Sequence, residues 1–270
     1  MTPSIADIFV YPVKSTHGIS LSESRVLAGG LEHDRRWAVA DEQNVILTAR
    51  EYPALFGIRT EFTAGTLSIH VPGAPPVFLP SAAEREKIPV SLFGNTVHGH
   101  PLAGPVNANL TAYLNLPCRL IHMEDDTPRT MSPRYGGSDT DPVSYADTAP
   151  FLLVSEASLA ELNGQLPQEV DMQNFRPNLV VKGCAAGEED RWQKILIGDV
   201  ILEQTEACKR CVMTTLDPLT GRQHPGQEPL RTLATYRRHA RGGVRFGINL
   251  VPRVMGLIRR GDRVEVLEAG

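Results

Sequence analysis

The chain has 270 residues, with 27 Lys and Arg against 31 Asp and Glu, a formal charge of −4. That balance excludes a dominant nucleic-acid role, which would show a basic surplus. No apolar run reaches the roughly 18 residues of a membrane helix, so no membrane association is expected. An apolar fraction of 41% and four cysteines describe an ordinary globular protein without a disulfide framework, for which a reducing, cytoplasmic setting is expected.

Residues 1–15 lack a basic segment followed by an apolar core and do not read as a signal peptide. Ser4 to Val13 reads as a strand. Residues 36–50 hold two β-rich runs around a polar turn at Asp41 to Asn44, which predicts a hairpin. Val90 to His100 reads as a further strand, and Asn107 to Asn115 as a short helix with an Asn cap, stopped by Pro117. The polar stretch Glu124 to Pro142 predicts a linker or mobile loop between two units. Phe151 to Val154 has a buried-strand pattern. Ser155 then caps a helix with Leu159, Leu162 and Leu166 on one face, ended near Gly164 and Pro167. Asn178 to Lys182, Lys194 to Glu203 and Arg263 to Leu267 read as strands, and Leu230 to Arg241 as a helix with a basic outer face. Many short strands and few helices predict a mainly β (α+β) protein of barrel-like units rather than a doubly wound sheet.

The chemistry concentrates at Cys208-Lys-Arg-Cys211, where two thiols stand against two fixed cations before an Asp-Pro-x-x-Gly turn. Neighbouring cations favour the thiolate, which is both nucleophile and soft-metal ligand. Structural zinc needs a second Cys or His pair, and Cys118 and Cys184 are isolated. A thioredoxin-like pair needs a strand before it and a helix after it. Zinc and redox stay as minor readings beside two others: half-buried thiols without a role, or Cys211 as a single ligand to a soft, high-valent metal with Cys208 as an accessory. Lys14, Arg35, Arg50 and Arg176 lie in or beside apolar β segments and could line an anion pocket, or be solvated edge residues. His98 and His100, two apart on a strand, read as surface residues. Asp147, before a buried strand, reads locally as a turn or cap residue.

A set of motifs then falls in one order: Tyr11-Pro-Val-Lys-Ser15, Asp34-Arg-Arg-Trp37, Leu47-Thr-Ala-Arg50, Ser155-Glu-Ala-Ser-Leu159, Asn174-Phe-Arg-Pro-Asn178, Ile197-Gly-Asp199, Cys208-Lys-Arg-Cys211 with its Val-Met-Thr-Thr-Leu-Asp-Pro218 continuation, and Glu228-Pro-Leu-Arg-Thr-Leu233. Along nearly its full length the chain resembles MOSC-domain proteins with a MOSC N-terminal β-barrel domain, the family of the mitochondrial amidoxime-reducing component and of bacterial reductases of N-hydroxylated bases. The resemblance implies an N-terminal β-barrel domain over 1–123 and a MOSC β-barrel over 124–270. It implies a molybdenum cofactor (Mo-molybdopterin) with Cys211 as the protein ligand to the metal. Lys14, Ser15, Arg35, Arg50, Arg176, Asn178 and Arg210 match positions that hold the pterin and its phosphate. Asp147 and Thr148 match positions near the metal, with Asp147 the expected proton donor. The implied reaction is two-electron reduction of small N-hydroxylated compounds. No plant-type cysteine spacing for an iron–sulfur cluster is present, so electrons are expected from a separate protein of ferredoxin or cytochrome b5 type. A cofactor carrier or a sulfur relay through Cys211 is the alternative.

Overall fold

Alternating burial sets the shorter strands: along Glu23–Leu27 exposed and buried residues alternate, as a half-buried sheet requires. The computed structural model describes residues 2–63, 65–79, 86–125, 129–240 and 242–270. The largest sheet has eight strands, in the order Val264–Ala269, Trp192–Ile197, Val200–Arg210, Val244–Val254, Phe151–Ser155, Leu179–Lys182, Ser4–Val10, Ile19–Leu21. The first strand of the chain thus sits inside a sheet built mostly from its second half, with Ser4 opposite Lys182. Phe151–Ser155 and Leu179–Lys182 run parallel. A parallel pair needs a crossover, here supplied by the helix Glu156–Asn163, whose N-terminus is capped by Ser155 Oγ accepting from Ser158 N at 3.0 Å.

A four-stranded sheet follows the order Trp37–Asp41, Cys118–His122, Asn95–Pro101, Ile88–Leu92. It packs with the helix Pro105–Leu114 around Val39, Leu55, Ile69, Leu110 and Leu120, while a separate core of Ile8, Leu153, Ile195, Leu202 and Leu250 lies in the eight-stranded sheet. Among the described residues, no helix is long and apolar enough to cross a membrane.

Several sequence expectations shift. The mainly β architecture holds, but the large sheet does not close into a barrel by strand pairing. Its two edge strands are not partners, and the bridge Ser4–Arg263, with Val264 N donating to Pro3 O at 2.8 Å, is what draws the last strand's start toward the first. Past Val264 the last strand exposes its side chains to solvent. Val90 to His100 and Lys194 to Glu203 are each two strands of a hairpin, folded at Phe93-Gly94 and Gly198-Asp199. The helix expected over 107–115 is Pro105–Leu114, entered through Gly104 with Pro at its first turn. The helix after Ser155 ends at Asn163, at the expected Gly164 stop, and leaves Leu166 beyond it. The helix from Leu230 ends at Tyr236, and Arg241 lies outside the described residues. Of the arginines on the expected basic face, Arg231 pairs with Glu228, and Arg237, just past the helix, pairs with Asp190 and Glu161. The segment expected as a linker, whose residues 126–128 lie outside those described, is anchored by Met131 N to Asp141 O (2.8 Å) and Val143 N to Arg129 O (2.8 Å). His100 is buried opposite His122, unlike the exposed His98.

The long pair Val200–Arg210 and Val244–Val254 has register shifts at Ile201/Leu202, Gln204/Glu206 and Ala207/Lys209. Such irregularities bend and twist a strand. They carry the Cys208–Cys211 end toward the seam between the two sheets.

Candidate functional site

At that seam lies a cleft of about 1070 Å³. All ten residues singled out in the sequence, Lys14, Ser15, Arg35, Arg50, Asp147, Thr148, Arg176, Asn178, Arg210 and Cys211, line it. They arrive from six separate segments. The lining holds nine Lys and Arg and three Asp and Glu, so a protein of net negative charge concentrates positive potential in one concavity, as an anion site needs.

The deep end is built around Tyr11. Its ring lies 4.4 Å from the Arg35 guanidinium and 4.2 Å from that of Arg176, and its hydroxyl donates to Pro177 O at 3.1 Å. Arg35 Nη1 donates to Asp34 Oδ2 (2.6 Å) and Asn178 Oδ1 (3.1 Å), while Arg176 Nη1 donates to Thr16 O (2.7 Å). Burial pulls the Arg176 guanidinium down to about 10; Tyr11 opposes this and the nearby Arg35 adds to it. Asn178 is an internal tie: its Oδ1 also accepts from Leu152 N (3.2 Å), and its Nδ2 donates to Phe9 O (3.2 Å). It therefore fixes Arg35 and two strands. Ser15, Arg35, Phe93 and Arg176 all line this cleft with positive φ, between 49° and 67°. Backbone strain of this kind gathers at sites where geometry is over-determined.

The thiol end is built around Asp147. Lys14 Nζ and Arg50 Nη2 both donate to its carboxylate, Lys14 Nζ also reaches Tyr145 O at 2.8 Å, and Arg50 Nη2 reaches Cys211 Sγ at 3.6 Å. Burial alone would push the Asp147 carboxyl up, but Lys14 and then Arg50 overcome it and hold the group well below the usual carboxylate range. The side chain is nevertheless 42% exposed, because it faces the cleft and not the core. Asp147, the expected proton donor, is here an acceptor clamped by two cations, which disfavours its protonated form. Burial pulls the Lys14 ammonium down to about 8 against the opposing pull of Asp147.

Cys211 ends the long strand, exposed, with its carbonyl capping the turn Val212–Thr215 by accepting from Thr214 N at 3.1 Å. Cys208 is buried beside Phe175 and Phe246, and burial raises its thiol. Arg210 Nη1 donates to Cys208 Sγ (3.0 Å) and its Nη2 to Phe175 O (2.7 Å), while its buried Nε has no partner. The two cysteines are thus unlike: one is packed in the core, the other offered to the cleft. Thr148 Oγ1 accepts from Asn249 Nδ2 at 3.3 Å. Among the described residues no three of His, Cys, Asp and Glu gather to hold a metal.

Sequence reasoning missed Arg129, Arg134, Arg245 and Phe93, all of which line the cleft, and named Lys209 only as a cation between the two cysteines. Arg129 Nη1 donates to Ser144 O (2.8 Å) and Ala146 O (2.7 Å), which shapes the loop that presents Asp147. Its place in a polar stretch carried no signal. Phe93, beside Gly94, had one: a bulky residue in a turn.

Comparison with known proteins agrees with this layout. The MOSC N-terminal beta barrel domain matches residues 2–117 and the MOSC domain residues 140–265. Mitochondrial amidoxime-reducing component 1 of Mus musculus is 37% identical, over 87% of this chain and 71% of that protein. Its Homo sapiens counterpart is 35% identical over 87% and 72%, and mitochondrial amidoxime reducing component 2 of Rattus norvegicus 36% over the same shares. The chain therefore belongs to the family of MOSC-domain proteins with a MOSC N-terminal beta barrel domain, that of the mitochondrial amidoxime-reducing components.

Proposed function

We propose that the protein is a molybdenum-cofactor oxidoreductase that reduces small N-hydroxylated compounds such as amidoximes, hydroxylamines and N-hydroxylated purines. The observation that carries this reading is the joining, in one cationic cleft, of an exposed thiol with buried guanidinium groups fixed by other parts of the fold. The donor set fits an anionic, thiolate-ligated group: Arg210 Nε is buried without a partner, and Arg35 and Arg176 are held by backbone and aromatic contacts that leave them facing the cleft. Cys211 would be the protein ligand to the metal, as suits a soft thiolate. Arg35, Arg176, Arg210, Lys14 and the Ser15 turn would hold the pterin and its phosphate. When bound, this cofactor supplies the two-electron chemistry of N–O bond reduction.

The chain's own residues set the conditions. Asp147 keeps Lys14 and Arg50 converged, and so fixes the cation that lies 3.6 Å from Cys211. Lys14 Nζ, near 8, holds a proton at neutral pH and can release it without leaving its place. Electrons would come from a separate protein of ferredoxin or cytochrome b5 type. The test is molybdenum mass spectrometry on protein from a host that makes the cofactor, with Cys211→Ala alongside, followed by assay of benzamidoxime and hydroxylamine with a chemical reductant. Stoichiometric molybdenum and turnover in the parent, both lost in the variant, support the reading. A folded parent without molybdenum refutes it.

A further inference from the structure

The hairpin Ile88–Leu92 and Asn95–Pro101 turns in two residues, since Leu92 pairs directly with Asn95. Phe93 and Gly94 both have positive φ, 53° and 78°, the geometry of a type I′ turn, whose first position favours Asn, Asp or Gly. A bulky side chain there is a backbone outlier. Burial does not offset the cost, because Phe93 is 48% exposed. The ring instead lines the cleft, 4.9 Å from Lys14 Nζ and 5.3 Å from the Arg50 guanidinium, and Arg50 in turn reaches Cys211 Sγ at 3.6 Å. One guanidinium thus separates an exposed aromatic ring from the exposed thiol. The rest of the lining mixes cations, which suit an anionic cofactor, with apolar side chains such as Tyr135, Phe151 and Phe175; Phe93 is the ring set against the two cations that Asp147 holds at the thiol end.

We propose that Phe93 determines substrate specificity: its ring is a stacking platform for the planar aryl or heteroaryl part of an N-hydroxylated substrate, and it orients the N–O group toward the Cys211 end. This rests on the reading given under Proposed function. It accounts for a strained, half-exposed Phe at a position where Asn would be more stable. Lys14 and Arg50, under the same ring, hold it in place through cation–π contact.

The experiment compares the parent with Phe93→Asn, which suits the turn and removes the ring, and with Phe93→Tyr, which keeps it. The readouts are thermal stability, molybdenum content, the ratio of kcat/KM for benzamidoxime to that for hydroxylamine, and calorimetric binding of benzamidoxime to oxidised protein without reductant. Phe93→Asn is expected to melt at or above the parent temperature with unchanged molybdenum, yet to lose about tenfold in the ratio, mainly through KM, and about tenfold in benzamidoxime affinity, the loss of a single stacking contact. Phe93→Tyr stays within about twofold of the parent. An unchanged ratio and affinity in Phe93→Asn, an equal loss for both substrates, or a loss of molybdenum would overturn the inference. If the parent reduces neither compound, the proposed function fails by itself, and the calorimetry still decides whether Phe93 binds the aryl group.

Discussion

Replacing Asp147 with Asn keeps the shape of the side chain and removes the charge that Lys14 and Arg50 share. Removing one partner of a fully buried pair costs about 3–5 kcal/mol, and an exposed pair is worth about 0–1 kcal/mol. Lys14 is 3% exposed, but the Asp147 side chain is 42% exposed to the cleft, so solvent screening places the loss at about 1–2 kcal/mol. The sign of its pH dependence follows from Lys14. Its folded value near 8 lies below that of free lysine, about 10.4. Below pH 8 it is charged in both folded and unfolded chains, and the cost of burying the charge is fully present. Between pH 8 and about 10.4 the folded chain sheds the proton first and that cost fades. Without Asp147 the folded value falls further, so Asp147→Asn should be most damaging near pH 7 and less so at pH 10. Urea unfolding of cofactor-free protein at both pH values measures this, and near pH 7 the melting temperature should fall by roughly 2–8 °C. In a Lys14→Met background the Asp147→Asn loss should shrink. An equal loss at both pH values, and in both backgrounds, would refute the account of Asp147 as the counter-charge to a buried Lys14.

Other substitutions probe the rest of the cleft. Asn178→Ala leaves Leu152 N, Phe9 O and one arm of Arg35 without their partner. It should cost about 2–4 kcal/mol, read as a lower denaturant midpoint. Ser15→Gly relieves a φ of 67° and should stabilise the cofactor-free protein by about 0.5–1 kcal/mol, while bound molybdenum falls if the hydroxyl holds the cofactor; a melting temperature no higher than the parent's would count against strain at this turn. Arg176→Lys removes the planar group stacked on Tyr11 and the bond to Thr16 O. It should reduce molybdenum content about fivefold in protein whose circular dichroism is unchanged.

The cleft was more legible in the sequence than the strand map. Lys14, Arg35, Arg50 and Arg176 each looked out of place beside apolar β residues, and charge in an apolar setting is a signal that survives without coordinates. Cys211 stood out for a similar reason, but nothing local separated it from Cys208. That difference arises from a strand end, which buries one thiol against Phe175 and leaves the other at the rim. The hairpins at Phe93-Gly94 and Gly198-Asp199 were read as single strands: Phe-Gly is not a usual hairpin pair, while Gly-Asp is one and was passed over. The strand Val244–Val254 was passed over because Gly247 and Pro252 interrupt its apolar run; in the fold, Gly247 sits at a φ of 74° with its Cα facing Leu153 O, where a side chain would not fit. The charge state of Asp147 was not readable at all, since both of its cations come from distant segments.

The placement of Ser4–Val10 inside the eight-stranded sheet sets an order of events during synthesis. This strand leaves the ribosome early, but its partner Leu179–Lys182 is made much later. Until then the early strand has an open edge, and pairing so remote in sequence is slow and prone to aggregation. Lys14, Ser15, Arg35 and Arg50 exist as residues from the start, yet they face no cleft until the later strands dock. Loading of the proposed cofactor would therefore follow the docking of the later strands, and a nascent-chain chaperone would have most to do in that interval.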